Sequence, residues 1–254
     1  FGIADRLEKE AYWVNETTFW RPDAANPECI IRQDRIQDTE DGLSEFPHVI
    51  LNQARVHDLL LDVMRRSASR LSPDYSRRLV DLSVDHNAEK SGDPYPVSVV
   101  LERTDSSQGG QAETVRARYV VGCDGARSMV RTLLGLALEG DSANKAWGVM
   151  DVLAVTDFPD VRMKTVIQSA QAGSLLIIPR EGGYMARLYI ELEKLNGDER
   201  VANKNITSEN LIGFAQKILH PYRLDVKEVV WWSVYEIGQR LCDKFDDVLP
   251  SEEA

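Results

Sequence analysis

The chain has 254 residues with a formal net charge of −11, and 43% of them are hydrophobic. That length accommodates one large domain or two small ones with a real core. The acidic balance excludes a nucleic-acid-binding role, which needs a concentrated basic surface, and no apolar run approaches membrane-spanning length.

Three isolated cysteines, Cys29, Cys123 and Cys242, lack metal-type spacing and read as reduced thiols, so a cytoplasmic location is expected. The four histidines, His48, His57, His86 and His220, show no ligand spacing either, and no metal site is expected. The opening residues do not read as a signal peptide.

In chain order, 1–10 reads as the tail of a helix with Ile3 and Leu7 on one side, and 11–20 alternates weakly as a strand. A loop at 22–27, a strand at 30–35 and an acidic turn at 38–42 follow. Residues 49–51 lead into a helix predicted over 53–70, with Val56, Leu59, Leu60, Val63 and Met64 on one face. Arg65, Arg66 and Arg70 lie toward its end, where cations suit the helix dipole.

Strands are predicted at 97–102 and 115–121, separated by the Ser/Gly-rich loop 104–111. The segment Tyr119 to Ser128 then reads as an apolar strand, a tight Asp124-Gly125 turn and the first turn of a helix. That arrangement aims backbone N–H groups at an anion, while Asp124 can accept hydrogen bonds from hydroxyls; a dinucleotide offers both. An Asp-Gly turn is also a common plain connector.

Beyond it the pattern is a run of strands at 149–156, 162–168, 174–179, 184–192 and 226–235. One helix over 208–219, with apolar Leu211, Ile212, Phe214, Ala215 and Ile218, interrupts them. The fold class is therefore α+β: an α/β layer followed by a mostly antiparallel sheet with one covering helix. Within 184–192, alternation puts Tyr184, Ala186, Leu188, Ile190 and Leu192 on a core face. Tyr189 instead shares the other face with Arg187 and Glu191, as either an exposed sheet tyrosine or one whose hydroxyl reaches a pocket. Read from the residues alone, Arg180 is a turn arginine, Lys164 a solvated strand lysine and His48 a junction histidine.

Several segments in the same order resemble the flavin-dependent aromatic hydroxylases with the para-hydroxybenzoate hydroxylase fold. They are Gln37-Asp38-Thr39-Glu40-Asp41-Gly42-Leu43-Ser44-Glu45-Phe46-Pro47-His48, Leu51 to His57, and Gly122 to Ser128. Ala146-Trp147-Gly148-Val149-Met150-Asp151, Ile178 to Gly183 and Tyr235 to Arg240 complete the set. The resemblance covers essentially the whole chain.

It implies FAD and NADPH as cofactors and a small phenolic substrate and oxygen as partners, with no nucleic acid or membrane and room for a homodimer. The implied reaction hydroxylates a phenolic acid, 3-hydroxybenzoate to 3,4-dihydroxybenzoate, through a flavin hydroperoxide, with phenol as the alternative substrate. It implies that Tyr189 contacts the phenolic oxygen, that Arg180 lies near the flavin ring, and that Lys164 and His48 belong to the substrate pocket, His48 also relaying a proton. Gln53, Arg55, Asp124 and Gly125 are the implied FAD contacts. In domain terms, 49–145 is expected to be part of a split FAD-binding domain, with 11–48 and 146–236 forming the substrate-binding sheet. The family's G-x-G-x-x-G fingerprint does not occur in the sequence. The chain is therefore expected to be an internal piece of a longer enzyme, and the reading of another class is a non-catalytic fragment unable to hold FAD alone.

Overall fold

The computed structural model describes residues 1–46, 48–192 and 206–248. Its first elements are α1 (Ala4–Glu10), β1 (Tyr12–Trp13), β2 (Glu16–Pro22), β3 (Ile30–Gln37), β4 (Val49–Ile50) and α2 (Gln53–Arg66). Next come β5 (Arg77–Val84), α3 (Ala88–Ser91), β6 (Val97–Arg103), β7 (Ala112–Ala117) and α4 (Met129–Leu133). The chain then runs through β8 (Leu138–Thr156), β9 (Lys164–Gln168), β10 (Ser174–Pro179), β11 (Met185–Glu191), α5 (Ser208–Ile218) and β12 (Leu224–Cys242).

The chain divides into two compact units, 1–71 with 142–238 and 72–141 with 239–254. The first unit takes in α2 along with the strands of the larger sheet.

The first unit is built on a seven-stranded sheet ordered β12-β8-β11-β10-β9-β2-β3. Strand β11 pairs antiparallel with β8 and β10, and β10 with β9, whereas β2 joins β9 in parallel. Strict alternation buries Ala186, Leu188 and Ile190 of β11 against Leu175 and Ile177 of β10 and Thr165 and Ile167 of β9. Onto this face α5 lays Leu211, Ala215 and Ile218, all fully buried. Thr207 caps the helix in a reciprocal capping box with Asn210. The helix approaches so closely that a Cβ added at Gly148 would stand 2.3 Å from Leu211 Cδ2.

At the other end of the core, Trp20, Phe158 and Tyr222 pack with ring centroids 4.8 to 5.5 Å apart. The Trp20 indole N–H donates to buried Asp160 at 2.8 Å. A two-stranded β1–β4 pair completes the strands of this unit.

The second unit holds the antiparallel meander β5-β6-β7. Strand β5 was not expected, because a bulge between Leu79 and Asp81 shifts its register and breaks the two-residue period. Other boundaries also move. The helix predicted to 70 stops at Arg66, where Ser67 turns extended and its hydroxyl donates to the Met64 carbonyl at 2.7 Å. Strand β7 ends at Ala117, four residues before the expected 121, and 118–124 carry no strand pairing, with Tyr119 and Val121 more than 80% exposed. Strands β8 and β12 are both longer than expected, beginning at Leu138 and ending at Cys242. Among the described residues no helix is long and apolar enough to cross a membrane, and no group of three or more His, Cys, Asp or Glu could hold a metal ion.

Candidate functional site

Four segments of the first unit converge on Asp38. The start of β2 supplies Thr17, which lies beside Lys164 at the start of β9 in the parallel β2–β9 register. The end of β3 delivers Asp38, whose backbone N–H donates to the Asn15 carbonyl at 2.9 Å. The β1–β4 pair brings in His48, whose carbonyl accepts from Val14 N–H at 2.9 Å.

The Asp38 carboxylate is almost fully buried, with its side chain 6% exposed. Its Oδ1 accepts from Lys164 Nζ at 2.7 Å and Thr17 Oγ1 at 2.6 Å. Oδ2 accepts from His48 Nδ1 in a short contact. Burial pushes the Asp38 carboxyl up, but hydrogen bonds from His48, Lys164 and Thr17 outweigh it and hold the group well below the usual carboxylate range. Two of the residues singled out from the sequence, Lys164 and His48, are thus brought together by a third that was quoted only within a motif. A cleft of about 110 Å³ adjoins Lys164, bounded also by Tyr12, Asn15, Arg162 and Met163.

Tyr189 lies on the sheet face opposite α5, as alternation predicted. It is directly opposite Val149 on β8 and Leu176 on β10, and Leu176 is in turn opposite Val166 on β9. Lys164 shares this face with Val166, two residues away along β9. Two inter-strand steps, about 10 Å, separate β11 from β9, and Lys164 lies about 7 Å along β9 from Val166, so the Tyr189 and Lys164 side chains rise from one surface with their backbones about 12 Å apart.

Beside Tyr189 on the same face, Arg187 makes a bidentate pair with buried Asp151, both bonds 2.7 Å, and its guanidinium stacks 5.3 Å from the Trp231 ring centroid. The Asp151 hydrogen bonds raise the Arg187 pKa most, burial opposes them, and the neighbouring Tyr189 hydroxyl adds to the rise. Burial likewise raises the Tyr235 phenol, with Tyr189 contributing and Arg187 opposing. Asp151 and Arg187 were not chosen from the sequence. The available signal was their pairing across β8 and β11, which register alone reveals.

Arg180 ends the approach to the β10–β11 turn and is 4% exposed, not the solvated turn arginine that residue type alone suggested. Its Nη2 donates to Glu181 Oε1 at 3.2 Å, while Arg180 Nε and Glu181 Oε2 are buried without a hydrogen-bond partner among the described residues. An unsatisfied buried guanidinium N–H is costly in isolation. It suits a bound group that presents an acceptor, as the carbonyl and ring-nitrogen edge of FAD does.

The other expected FAD contacts are divided between the two units. Gln53 is the first residue of α2 and exposed, next to Asn52, whose side chain accepts from Ala54 N–H at 2.9 Å. Arg55 is paired with Glu10 through two bonds of 2.5 and 2.7 Å. Its pKa is raised chiefly by that hydrogen bond, and the Glu10 carboxyl is lowered by the same contact.

In the second unit, Asp124 accepts from Ser128 Oγ at 2.5 Å and from the N–H groups of Met129 and Val130 at 2.6 and 3.2 Å. It therefore caps α4, and those bonds, Ser128 Oγ first, lower its carboxyl. Arg131 N–H is taken by Ser128 Oγ. The donors that were expected to face an anion are thus occupied within the turn, and a ligand hydroxyl could use only the remaining lone pairs of Asp124. Gly125 holds φ at +79° with nothing within 4 Å of an added Cβ, leaving room for close approach. A larger cavity of about 250 Å³ in this unit, lined by Leu82, Val84, Leu133, Leu136 and Lys244, contains none of the expected site residues.

This fold recurs in solved structures of flavin-dependent monooxygenases. The enzyme PieE, solved with FAD and substrate, aligns over 96% of this chain and 42% of its own with a TM-score of 0.68 at 19% identity. The p-nitrophenol 4-monooxygenase PnpA of Pseudomonas putida aligns over 96% and 56% with a TM-score of 0.68 at 17% identity. The fold is that of the para-hydroxybenzoate hydroxylase-like flavin monooxygenases. The FAD binding domain family model matches residues 1–247, and the chain belongs to that family.

It is 65% identical over 248 residues to 3-hydroxybenzoate 4-monooxygenase of Comamonas testosteroni, covering 98% of this chain and 38% of that protein. It is 33% identical over 245 residues to the phenol 2-monooxygenase fsqG of Aspergillus fumigatus, covering 96% and 39%. The chain therefore spans less than two-fifths of the length of these relatives.

Proposed function

We propose that the protein acts as an FAD-dependent, NADPH-using monooxygenase that hydroxylates a phenolic aromatic acid, converting 3-hydroxybenzoate to 3,4-dihydroxybenzoate. The observation that carries this reading is the shared sheet face, with a tyrosine hydroxyl at one end and a lysine ammonium at the other. The 65% identity to an enzyme named for that substrate supports it. Residues 49–145 would serve FAD, and 11–48 with 146–236 would serve the substrate.

FAD, when bound, would supply the electrons taken from NADPH and the activation of oxygen. The residues of this chain would do the rest. Tyr189 would hydrogen-bond the phenolic oxygen, with the positive Arg187 guanidinium beside it on the same face favouring negative charge on the ring oxygen. Lys164 keeps two N–H donors beyond the one given to Asp38 and would direct them to the substrate carboxylate. His48, bonded to Asp38 through Nδ1, presents Nε2 as the atom through which a phenol proton would pass. Arg180 would offer its free Nε–H to FAD, and Gln53, Arg55, Asp124 and Gly125 would contact the rest of the cofactor.

One observation favours phenol as substrate instead: the Lys164 ammonium already has an anionic partner in Asp38, so an incoming carboxylate does not meet an unpaired cation. The deciding experiment measures NADPH oxidation and product formation by the complete protein, expressed from its whole reading frame and loaded with FAD, with 3-hydroxybenzoate and with phenol. Stoichiometric 3,4-dihydroxybenzoate is expected. Catechol from phenol, with 3-hydroxybenzoate inert, would move the protein to the second reading.

A further inference from the structure

We propose that Asp38 is a positioning residue that sets the preference of this site for anionic substrates, holding Lys164 so that its remaining N–H donors face a carboxylate. The inference rests on the reading that a phenolic acid binds beside Lys164.

Each Asp38 oxygen has a separate task. Oδ1 holds Lys164 Nζ at 2.7 Å and is itself fixed by Thr17 Oγ1 at 2.6 Å, while Oδ2 holds His48 Nδ1. Lys164 and Thr17 stand on neighbouring parallel strands, so the sheet register sets the distance that the carboxylate closes. His48 is anchored through its own carbonyl to Val14. Lys164 and His48 retain side-chain exposures of 30% and 38%, whereas Asp38 behind them retains 6%. The anion is therefore buried and the two cation-forming groups are not.

A lysine on a four-carbon stem is otherwise free to point into solvent. A buried carboxylate that binds it from behind selects one orientation in advance, which is how outer partners orient ligating side chains at other sites. The groups that bear charge or titrate around Asp38 are Lys164 and His48 among its bonded partners, with Glu16 and Arg162 on the walls of the adjoining cleft. Glu16 is engaged by Arg35 across β2 and β3.

The test measures kcat/KM for 3-hydroxybenzoate and for phenol in the holoenzyme and in its Asp38→Asn and Thr17→Val variants. Asp38→Asn is expected to lower the acid-over-phenol preference about 10- to 100-fold, the worth of one charge-assisted hydrogen bond, mainly through KM of the acid. Thr17→Val keeps the carboxylate and its charge but frees Oδ1, and the same preference should fall by a smaller factor. Asp38→Glu should recover part of the loss. If Asp38→Asn does not fold, Thr17→Val decides alone, and an unchanged preference in it overturns the proposal.

An equal loss on both substrates would make Asp38 merely structural. A lower KM for the acid in Asp38→Asn would make it a competitor of the substrate anion. Either result refutes the positioning role. If the unmodified holoenzyme hydroxylates neither compound, the reading of the site fails instead, which is distinct from an active enzyme whose preference ignores Asp38.

Discussion

At the scale of single residues, the site is organised by buried carboxylates that hold cations on a sheet surface. Asp38 carries a pH signature. Burial raises its carboxyl and the bonds from His48, Lys164 and Thr17 lower it further than burial raises it, so its folded pKa lies below the unfolded value of about 3.9. A depressed folded pKa means the ionised form stabilises the fold. That contribution is complete above about pH 4 and is lost as pH falls through the folded pKa. Asp38→Asn should therefore flatten the acid limb of stability against pH, measured as denaturant midpoints between about pH 6 and pH 3. Parallel curves for the two proteins would contradict the assignment.

Asp151 poses the sharper stability question. Its side chain is 7% exposed and Arg187 meets it with two bonds of 2.7 Å. Removing one member of a buried pair strands the other, which costs about 3–5 kcal/mol. Arg187→Leu should approach that loss in urea unfolding at neutral pH, and a cost near zero would mean water reaches Asp151 freely.

At the scale of elements, the strands that carry the site were legible because they alternate without interruption. β10 reads Leu175, Ile177 and Pro179 inward, and β11 reads Ala186, Leu188 and Ile190 inward. Tyr189 is placed on the outer face by that period alone. Tyr184 was assigned to the core face but precedes β11 in the turn and is 60% exposed.

What escaped depends on partners remote in sequence. The Lys164–Asp38 bond joins residues 126 positions apart, and the β8–β11 register that pairs Asp151 with Arg187 has no local signal. Strand β5 was hidden by its bulge, and the end of α2 by a serine that turns extended where arginines suggested continuation. The Asp124 turn was legible as the lead into a helix, but not the absence of a strand before it or the use of both Asp124 oxygens at the start of a five-residue helix.

Packing of α5 on the sheet gives a test at this scale. Leu211→Ala should cost about 2–5 kcal/mol, and Gly148→Ala should also destabilise, because its methyl would meet Leu211 Cδ2 at 2.3 Å. The two should couple. Alanine at 211 vacates the space that the new methyl needs, so the double variant should lose less than the sum of the singles. Strict additivity in chemical denaturation would mean that the helix does not rest on Gly148 as described.

At the scale of the whole molecule, the question is what these 254 residues can hold unaided. The chain matches the FAD binding domain family over residues 1–247, yet the groups expected to contact FAD are largely spoken for. Arg55 is bound to Glu10, and Asp124 is bound to its own helix. Gln53 is an exposed helix-start side chain. Of the expected FAD contacts, Arg180 alone has a buried side-chain atom, Nε, without a hydrogen-bond partner among the described residues. No G-x-G-x-x-G turn occurs in the sequence to cradle a pyrophosphate. A few hydrogen bonds contribute about 0.5–1.5 kcal/mol each, against an association cost of about 4–15 kcal/mol before any net affinity appears. The 254-residue polypeptide should therefore bind FAD weakly, with Kd on the order of 0.1 mM or above, read from quenching of flavin fluorescence on titration. Arg180→Met should weaken that residual binding further, since it removes the buried donor. Nanomolar binding by the bare chain would instead mean that Arg55 and Asp124 exchange their internal partners for the cofactor, and that the fragment reading is wrong.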